Sequence, residues 1–344
     1  MSRIHFLSGR RLLSACLVVF GVAVLYTAYW YAAAYQLRTF LNSWTTEQLW
    51  SGLRVDLGQP KINGFPGWLR VRVARPEAAT VEASHSWRWQ GAAIEARSRP
   101  WRPDSIAFDG KGLHLITIGE PAAPQIFTID AEGLSGRIVV GDGKVRSLGL
   151  DLKALTITTE NLKDNLTLAD AVLNFNSPNA PGLGFELDMR GLKLPKLAAT
   201  PLGNEFTTIM LLGYVNGLKV DEDWPEVIAS WRDGGGVIEV TEVKVRHGPL
   251  NVSGNGTIAF DAAMQPVAAF TVRAEGYTKT VDALHKAGLI KTGNVNGFKL
   301  VLGVLAKRRG GGEPYIEAPL TIQDSKLRIG PLDLLKFPVF NWGG

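Results

Sequence analysis

The residues able to do chemistry are few and scattered. Five histidines, His5, His85, His114, His247 and His285, show no two at metal-ligand spacing, and His-Glu-x-x-His is absent. The single cysteine, Cys16, lies deep in an apolar run, so neither a thiolate cluster nor an internal disulfide can form. No Gly-x-Ser-x-Gly elbow occurs; Gly133-Leu134-Ser135-Gly136 misses that spacing and reads as a strand turn. No phosphate loop is found, and no Gly-x-Gly-x-x-Gly opens a helix, so no cofactor is expected. Gly254-Asn255-Gly256 reads as a hairpin turn. Asp104, Asp109, Asp151, Glu186 and Asp188 fall at the polar phase or the ends of strands. A pair of carboxylates facing a cleft, as in glycoside hydrolysis, is the one catalytic chemistry this leaves open. His247, between Arg246 and Gly248, reads as a partly exposed strand-end histidine rather than a pH sensor.

The most pointed non-catalytic feature is Leu69-Arg70-Val71-Arg72-Val73-Ala74. It alternates as a strand with one apolar and one basic face, and Arg75 comes directly after it. The chain holds 37 basic and 32 acidic residues, net +5, mostly scattered. That is a poor footprint for nucleic acid, which is excluded as a partner. Arg70, Arg72 and Arg75 are instead candidates for a wet strand face touching anionic headgroups near a membrane anchor.

That anchor is the next element. Leu12 to Ala34 carries no charge and, as a helix, would be about 35 Å long, enough for a hydrocarbon core of about 30 Å. Arg3, Arg10 and Arg11 precede it, so the positive-inside rule leaves residues 1–11 in the cytoplasm and carries everything after Ala34 across the membrane. Tyr26, Tyr29, Trp30, Tyr31 and Tyr35 cluster at the far end, where an aromatic belt belongs. A cleaved signal peptide ending at Ala32-Ala33-Ala34 is the competing reading. The run exceeds an h-region of about 7–15 residues, which favours a retained signal-anchor. Residues 35–51 then show Leu37, Phe40, Leu41 and Trp44 at helical spacing, an amphipathic connecting helix.

Residues 52–344 are expected to be the exported β-rich domain. Alternating segments recur, among them "SIAFDGKGLHLITI", "RSLGLDLKALTITT" and "LGFELDMRGLKL", separated by Gly, Pro, Asn and Asp. They predict a mainly β fold: a long antiparallel, twisted or curved, half-barrel-like sheet with a few short covering helices. One helix is expected in "DEDWPEVIASWRDGGG", with Asp223 as N-cap, Trp224, Val227, Ile228 and Trp231 as its apolar stripe and Gly234 to Gly236 as its stop. Another is expected in "TKTVDALHKAG". The segment "VNGFKLVLGVLA" is expected to be strand, and Ala306–Pro314 a solvated basic hairpin tip.

Several of these segments carry a family pattern. They are Trp231, Gly235 and Gly236; Gly248 and Pro249; Gly254 and Gly256; Phe260, Asp261, Gln265 and Pro266; the Gly64-Phe65-Pro66 turn; "ARSRPWRPDSI"; and the closing "APLTIQDSKLRIGPLDLL". Over nearly its whole length the chain resembles the bacterial, membrane-anchored family known only as domain of unknown function 2125. Gly67 departs from the family, which often has an aromatic there, and Phe260 replaces a usual Leu. The last hairpins are also similar, locally, to AsmA-type envelope proteins. That likeness implies envelope biogenesis or lipid handling in an apolar groove holding acyl chains. Two other classes stand beside it: a structural module docking other envelope proteins, and an envelope hydrolase. The non-enzymatic scaffold is the expectation.

Overall fold

The structure, a computed structural model, describes residues 9–339 except 51, 81–85, 120–122, 143, 161–163, 178–181, 219–225, 291, 309–312, 330–331 and 337. The chain forms two compact units: Met1–Gly110 with Ile116–Pro124, and Lys111–Leu115 with Gln125–Gly344.

In the first unit α1 (Gly9–Trp50) is one unbroken helix. No proline interrupts it, so the apolar run and the amphipathic stripe share one axis. Seven short strands come after it: β1 (Leu53–Asp56), β2 (Lys61–Asn63), β3 (Leu69–Val73), β4 (Glu77–Thr80), β5 (Trp87–Gln90), β6 (Ile94–Arg99) and β7 (Arg102–Asp109). They pair antiparallel as β1–β4–β5 and β2–β3–β6–β7. On β3, Leu69 and Val73 are buried while Arg72 is exposed, so the alternation read from the sequence is the alternation of the strand. β8 (Gly112–Ile118) is shared between the two units.

The second unit is an antiparallel meander. β9 (Gln125–Gly141), β10 (Lys144–Thr159), β11 (Leu166–Asn176), β12 (Gly182–Lys193), β13 (Glu205–Asn216), β14 (Val237–His247), β15 (Leu250–Phe260) and β16 (Pro266–Glu275) each pair with the next. α2 (Glu226–Asp233) lies in the β13–β14 connection, and α3 (Tyr277–Lys286) and α4 (Thr292–Leu305) come after β16. The two-residue β17 (Ala306–Lys307) leads to β18 (Tyr315–Gln323), which returns to β16; β19 (Lys326–Ile329) and β20 (Leu332–Lys336) complete the order.

Four readings from the sequence need correction. "VNGFKLVLGVLA" is helix α4, not strand. Its apolar residues Val295, Phe298, Leu302 and Leu305 fall at i, i+3, i+7 and i+10, a helical face, which the run of apolar neighbours had hidden. Gly254-Asn255-Gly256 is not a turn but the middle of β15, where Gly254 opposes Val243 and Val272. A Cβ on Gly254 would stand 2.4 Å from the Thr271 carbonyl oxygen, so these glycines admit close approach of strands rather than reversal. Gly133-Leu134-Ser135-Gly136 likewise lies within β9. His247 is buried, not partly exposed. Asp223 and Trp224 lie outside the described residues, as does much of the Ala306–Pro314 loop.

Candidate functional site

Two surfaces stand out, one in each unit. The first is built on α1, whose halves have opposite environments. Every residue from Leu13 to Leu25 except Gly21 is exposed. From Tyr26 onward a stripe at three- and four-residue spacing, Tyr26, Trp30, Ala33, Leu37, Leu41 and Trp44, is wholly or partly buried. Its anchor is Trp30, 4% exposed, whose indole Nε1 donates to the Trp68 carbonyl at 2.9 Å. Tyr29 donates to the Pro100 carbonyl at 2.7 Å, and Tyr26 donates to the Pro66 carbonyl. The Gly64-Phe65-Pro66 turn therefore docks on the aromatic cluster of the helix. Phe65 meets Trp30 edge-on at 5.6 Å and stacks with Tyr31 at 6.2 Å. Gly64 has φ +107°, and a Cβ there would stand 2.7 Å from the Trp68 carbonyl oxygen, so this turn requires glycine.

The three arginines singled out from the sequence are placed unequally. Arg70 lies 3.1 Å from Glu95, although its Nε lacks hydrogen-bond geometry to any acceptor; at this partly exposed site the charges still neutralise each other. Arg72 and Arg75 are exposed, farther along the chain from the docked turn. Arg97 and Arg99, inside the "ARSRPWRPDSI" segment, stand nearer. Arg97 is opposite Arg70 in the β3–β6 register. The Arg99 guanidinium lies over the rings of Trp68 at 4.9 Å and Trp101 at 5.6 Å, and that of Arg97 over Trp68 at 5.9 Å. The alternation Arg97-Ser98-Arg99 with Trp101 just beyond is the signal the sequence offers for this cluster, and the longer β3 pattern masks it.

The second surface is one face of the meander. Cross-strand register aligns Leu150, Leu173, Leu187, Leu211, Val243, Gly254, Val272 and Ala318 in a single row from β10 to β18. A parallel row contains Leu152, Ala171, Met189, Ile209, Val245, Val252, Ala274 and Ile316, and another Leu148, Phe175, Phe185, Gly213, Val240, Gly256, Phe270 and Leu320. Cover along the rows is uneven. Val272, Ala274, Ile316 and Ala318 are buried; Ile316 and Ala318 belong to a core with Val281 of α3 and Val295 and Leu302 of α4. In the same rows Leu150, Leu173, Leu187 and Leu211 are only half-buried.

The opposite face is polar and carries a hollow of about 480 Å³ lined by Asn176, Glu186, Tyr214 and Asn216 among others. One carboxylate, Glu186, lines it, and a second, Glu239, holds two of its lining residues. Glu186 accepts from Asn174 at 3.0 Å; Glu239 accepts from Asn216 at 3.0 Å and from the Tyr214 hydroxyl. That last bond raises the Tyr214 pKa above its ordinary value. Both carboxylates act as cross-strand ties, with β13 between their strands. Asp151 and Asp188 lie on this polar face too, Asp188 paired with Arg190 at 2.8 Å, while Asp104 and Asp109 are exposed on β7. Among the described residues no group of three or more His, Cys, Asp or Glu is placed to hold a metal ion.

The remaining motif residues have structural positions. Trp231 is buried, donates to the Asn216 carbonyl and meets Phe260 edge-on at 6.3 Å. Gly235 and Gly236 end α2 with backbone bonds to Arg232 and Trp231. Gly248 and Pro249 form the β14–β15 turn. The Asp261 carboxylate accepts the Ala263 and Gln265 amides, each at 2.8 Å, and so closes the β15–β16 hairpin. His247 uses both ring nitrogens, Nδ1 with the Glu205 carbonyl at 2.8 Å and Nε2 with Thr200, and stacks on Phe206 at 3.9 Å.

These features define a mainly β, antiparallel protein with one N-terminal helix long and apolar enough to cross a membrane. The profile of a family described as "Uncharacterized protein conserved in bacteria (DUF2125)" matches residues 30–338, and the chain belongs to that family. The match begins at Trp30, the residue that ties α1 to the Phe65 turn. No curated protein and no solved structure matches the chain significantly.

Proposed function

We propose that this protein is a single-pass, membrane-anchored scaffold of the bacterial envelope that holds acyl chains on the apolar face of its meander. Its N-terminus lies in the cytoplasm and its β units in the periplasm. The carrying observation is the set of apolar cross-strand rows that α3 and α4 cover at one end and whose large side chains along β10–β13 stay half-buried, while the small Ala171 and Gly213 between them are buried. Leucine rows half open to water lose part of the ~25 cal/mol per Å² that burial would return, and an acyl chain laid across them recovers it. The rows run across strands, so several parallel chains or one folded-back chain would fit better than a compact polar ligand. Mass spectrometry of lipids extracted from the purified full chain tests this. Acyl lipids in stoichiometric amount are expected; a lipid-free protein would overturn it.

The docking of the Phe65 turn on α1 supports a retained anchor. Cleavage after Ala34 would remove Tyr26, Tyr29 and Trp30 and strip the Phe65 turn of its aromatic partners. Intact mass of the mature protein is expected to include residues 1–34, and a mass lacking them would refute the signal-anchor. A docking module for other envelope proteins would use the same face. In that case the lipid extract would be empty and cross-linking in native membranes would capture a partner on it.

A further inference from the structure

The docked turn fixes the depth of the first unit in the bilayer, and that depth exposes a site. The first ~20 residues of the apolar run, Leu12 to Tyr31, span about 30 Å as a helix, the thickness of the hydrocarbon. Tyr26 and Trp30, near the end of that stretch, carry the hydrogen bonds to Pro66 and Trp68. The tip of the β2–β3 connection is therefore held at the level where hydrocarbon gives way to headgroups. Three large aromatics are exposed there: Phe65 at 47%, Trp68 at 37% and Trp101 at 53%. Exposed indoles at that depth are interfacial residues rather than packing faults.

Arg99 stands between two of them. Its guanidinium carbon lies 4.9 Å from the Trp68 ring centre and 5.6 Å from that of Trp101, and the side chain is exposed, with N–H donors to offer a ligand. Arg97 adds a second guanidinium over Trp68. Both side chains are exposed, and neither is ion-paired among the described residues, whereas Arg70, one strand away, lies against Glu95. Two unneutralised planar forks, pre-ordered on indoles at headgroup depth, suit a phosphodiester, which a guanidinium binds through paired N–H donors.

We infer that Arg97 and Arg99, framed by Trp68 and Trp101, form a seat for the phosphate of an anionic phospholipid in the leaflet surrounding the periplasmic end of α1. The inference rests on the membrane-anchored reading above. Its occupant is the bilayer that surrounds the protein's own helix. The seat takes the role the sequence had suggested for Arg70, Arg72 and Arg75. Arg75 lies seven residues beyond Trp68, about 23 Å along an extended chain.

The test is native mass spectrometry of the full chain in detergent, titrated with phosphatidylglycerol, with phosphatidylcholine, and with inorganic phosphate as a separate arm. Wild type is expected to retain one phosphatidylglycerol through gentle activation. Arg97→Gln with Arg99→Gln should weaken that retention by roughly 100-fold, about tenfold for each charge-assisted contact. Arg99→Lys, which keeps charge but loses the planar fork, should fall between, and Arg72→Gln should match wild type. Retention unchanged in the double variant overturns the seat, as does equal loss with Arg72→Gln. Competition by inorganic phosphate at the same concentration would show a free-phosphate site and also overturn it. Alkaline extraction of the same membranes separates the two readings. Wild type released into the supernatant would sink the anchor itself, whereas an anchored chain with unchanged retention sinks only the seat.

Discussion

Leu13–Leu25 of α1 and the leucine rows of β10–β13 are both aliphatic, yet their surroundings differ in degree and therefore in kind. On the helix, Leu17, Val18, Val19, Phe20 and Leu25 are 63–72% exposed and nothing among the described residues covers them. On the sheet, Leu150, Leu173, Leu187 and Leu211 are half-buried by their own cross-strand neighbours. The helix segment is long and apolar enough to cross a membrane, and a bilayer would cover such a cylinder on every side. On the proposed reading, the sheet face is completed by a ligand on one side. An apolar surface exposed all round suits a bilayer, and one open on a single face suits the acyl-chain site proposed above.

The comparison can be broken at several points. The largest effect should come from Val19→Arg with Val22→Arg, which places two charges where hydrocarbon is expected at about 2.5–3.5 kcal/mol each. Membrane integration, read by alkaline extraction, should be lost. Full integration would mean this half of α1 does not cross a bilayer. Next comes Trp30→Ala, which deletes the buried anchor of the docked half and should destabilise the first unit by about 3–5 kcal/mol, while Phe20→Ala should leave its unfolding midpoint unchanged. Equal effects would erase the distinction between the halves of the helix.

Within the sheet, Ile316→Ala, beneath α4, should cost about 2–5 kcal/mol and Leu187→Ala, on the open stretch of the face, about 1–2 kcal/mol. The ranking should narrow when acyl lipid is bound, because the ligand then covers Leu187. Denaturant unfolding with and without lipid measures both.

The smallest effect lies on the polar face. Glu275 is held below the usual carboxylate pKa first by its bond from Arg273, 2.7 Å away, and then by Asn251. A depressed carboxylate stabilises the fold fully above its unfolded pKa, near 4.5, and loses that contribution as pH falls through the lower folded value. Glu275→Gln should therefore be slightly less stable than wild type at pH 7, with the gap closing in acid. A gap that widens in acid would contradict this sign.

Much of the fold was legible because it rests on local periodicity. The alternation in β3 and in β9 to β16 and the helical spacing in α3 are consequences of side-chain direction along a single element. The misread segments are those where a second element decides. Val295, Phe298, Leu302 and Leu305 are scattered through a nearly continuous apolar run, so only their packing on Ile316 reveals which period the chain adopts. Gly254 and Gly256 look like turn residues alone, but a strand on each side makes them places where a Cβ has no room.

By itself the sequence determined that one N-terminal helix is apolar enough to span a membrane, that antiparallel strands dominate the rest of the chain, and that no familiar catalytic motif is present. Composition and period suffice for those statements because each concerns one segment and its solvent. Tertiary structure alone decided that Trp30 and Phe65, 35 residues apart in the sequence, lock the helix to the first unit. It also brought Arg99 between Trp68 and Trp101 and aligned leucines from successive strands into rows. Those are relations between distant segments, set by register and docking, and no local pattern encodes them.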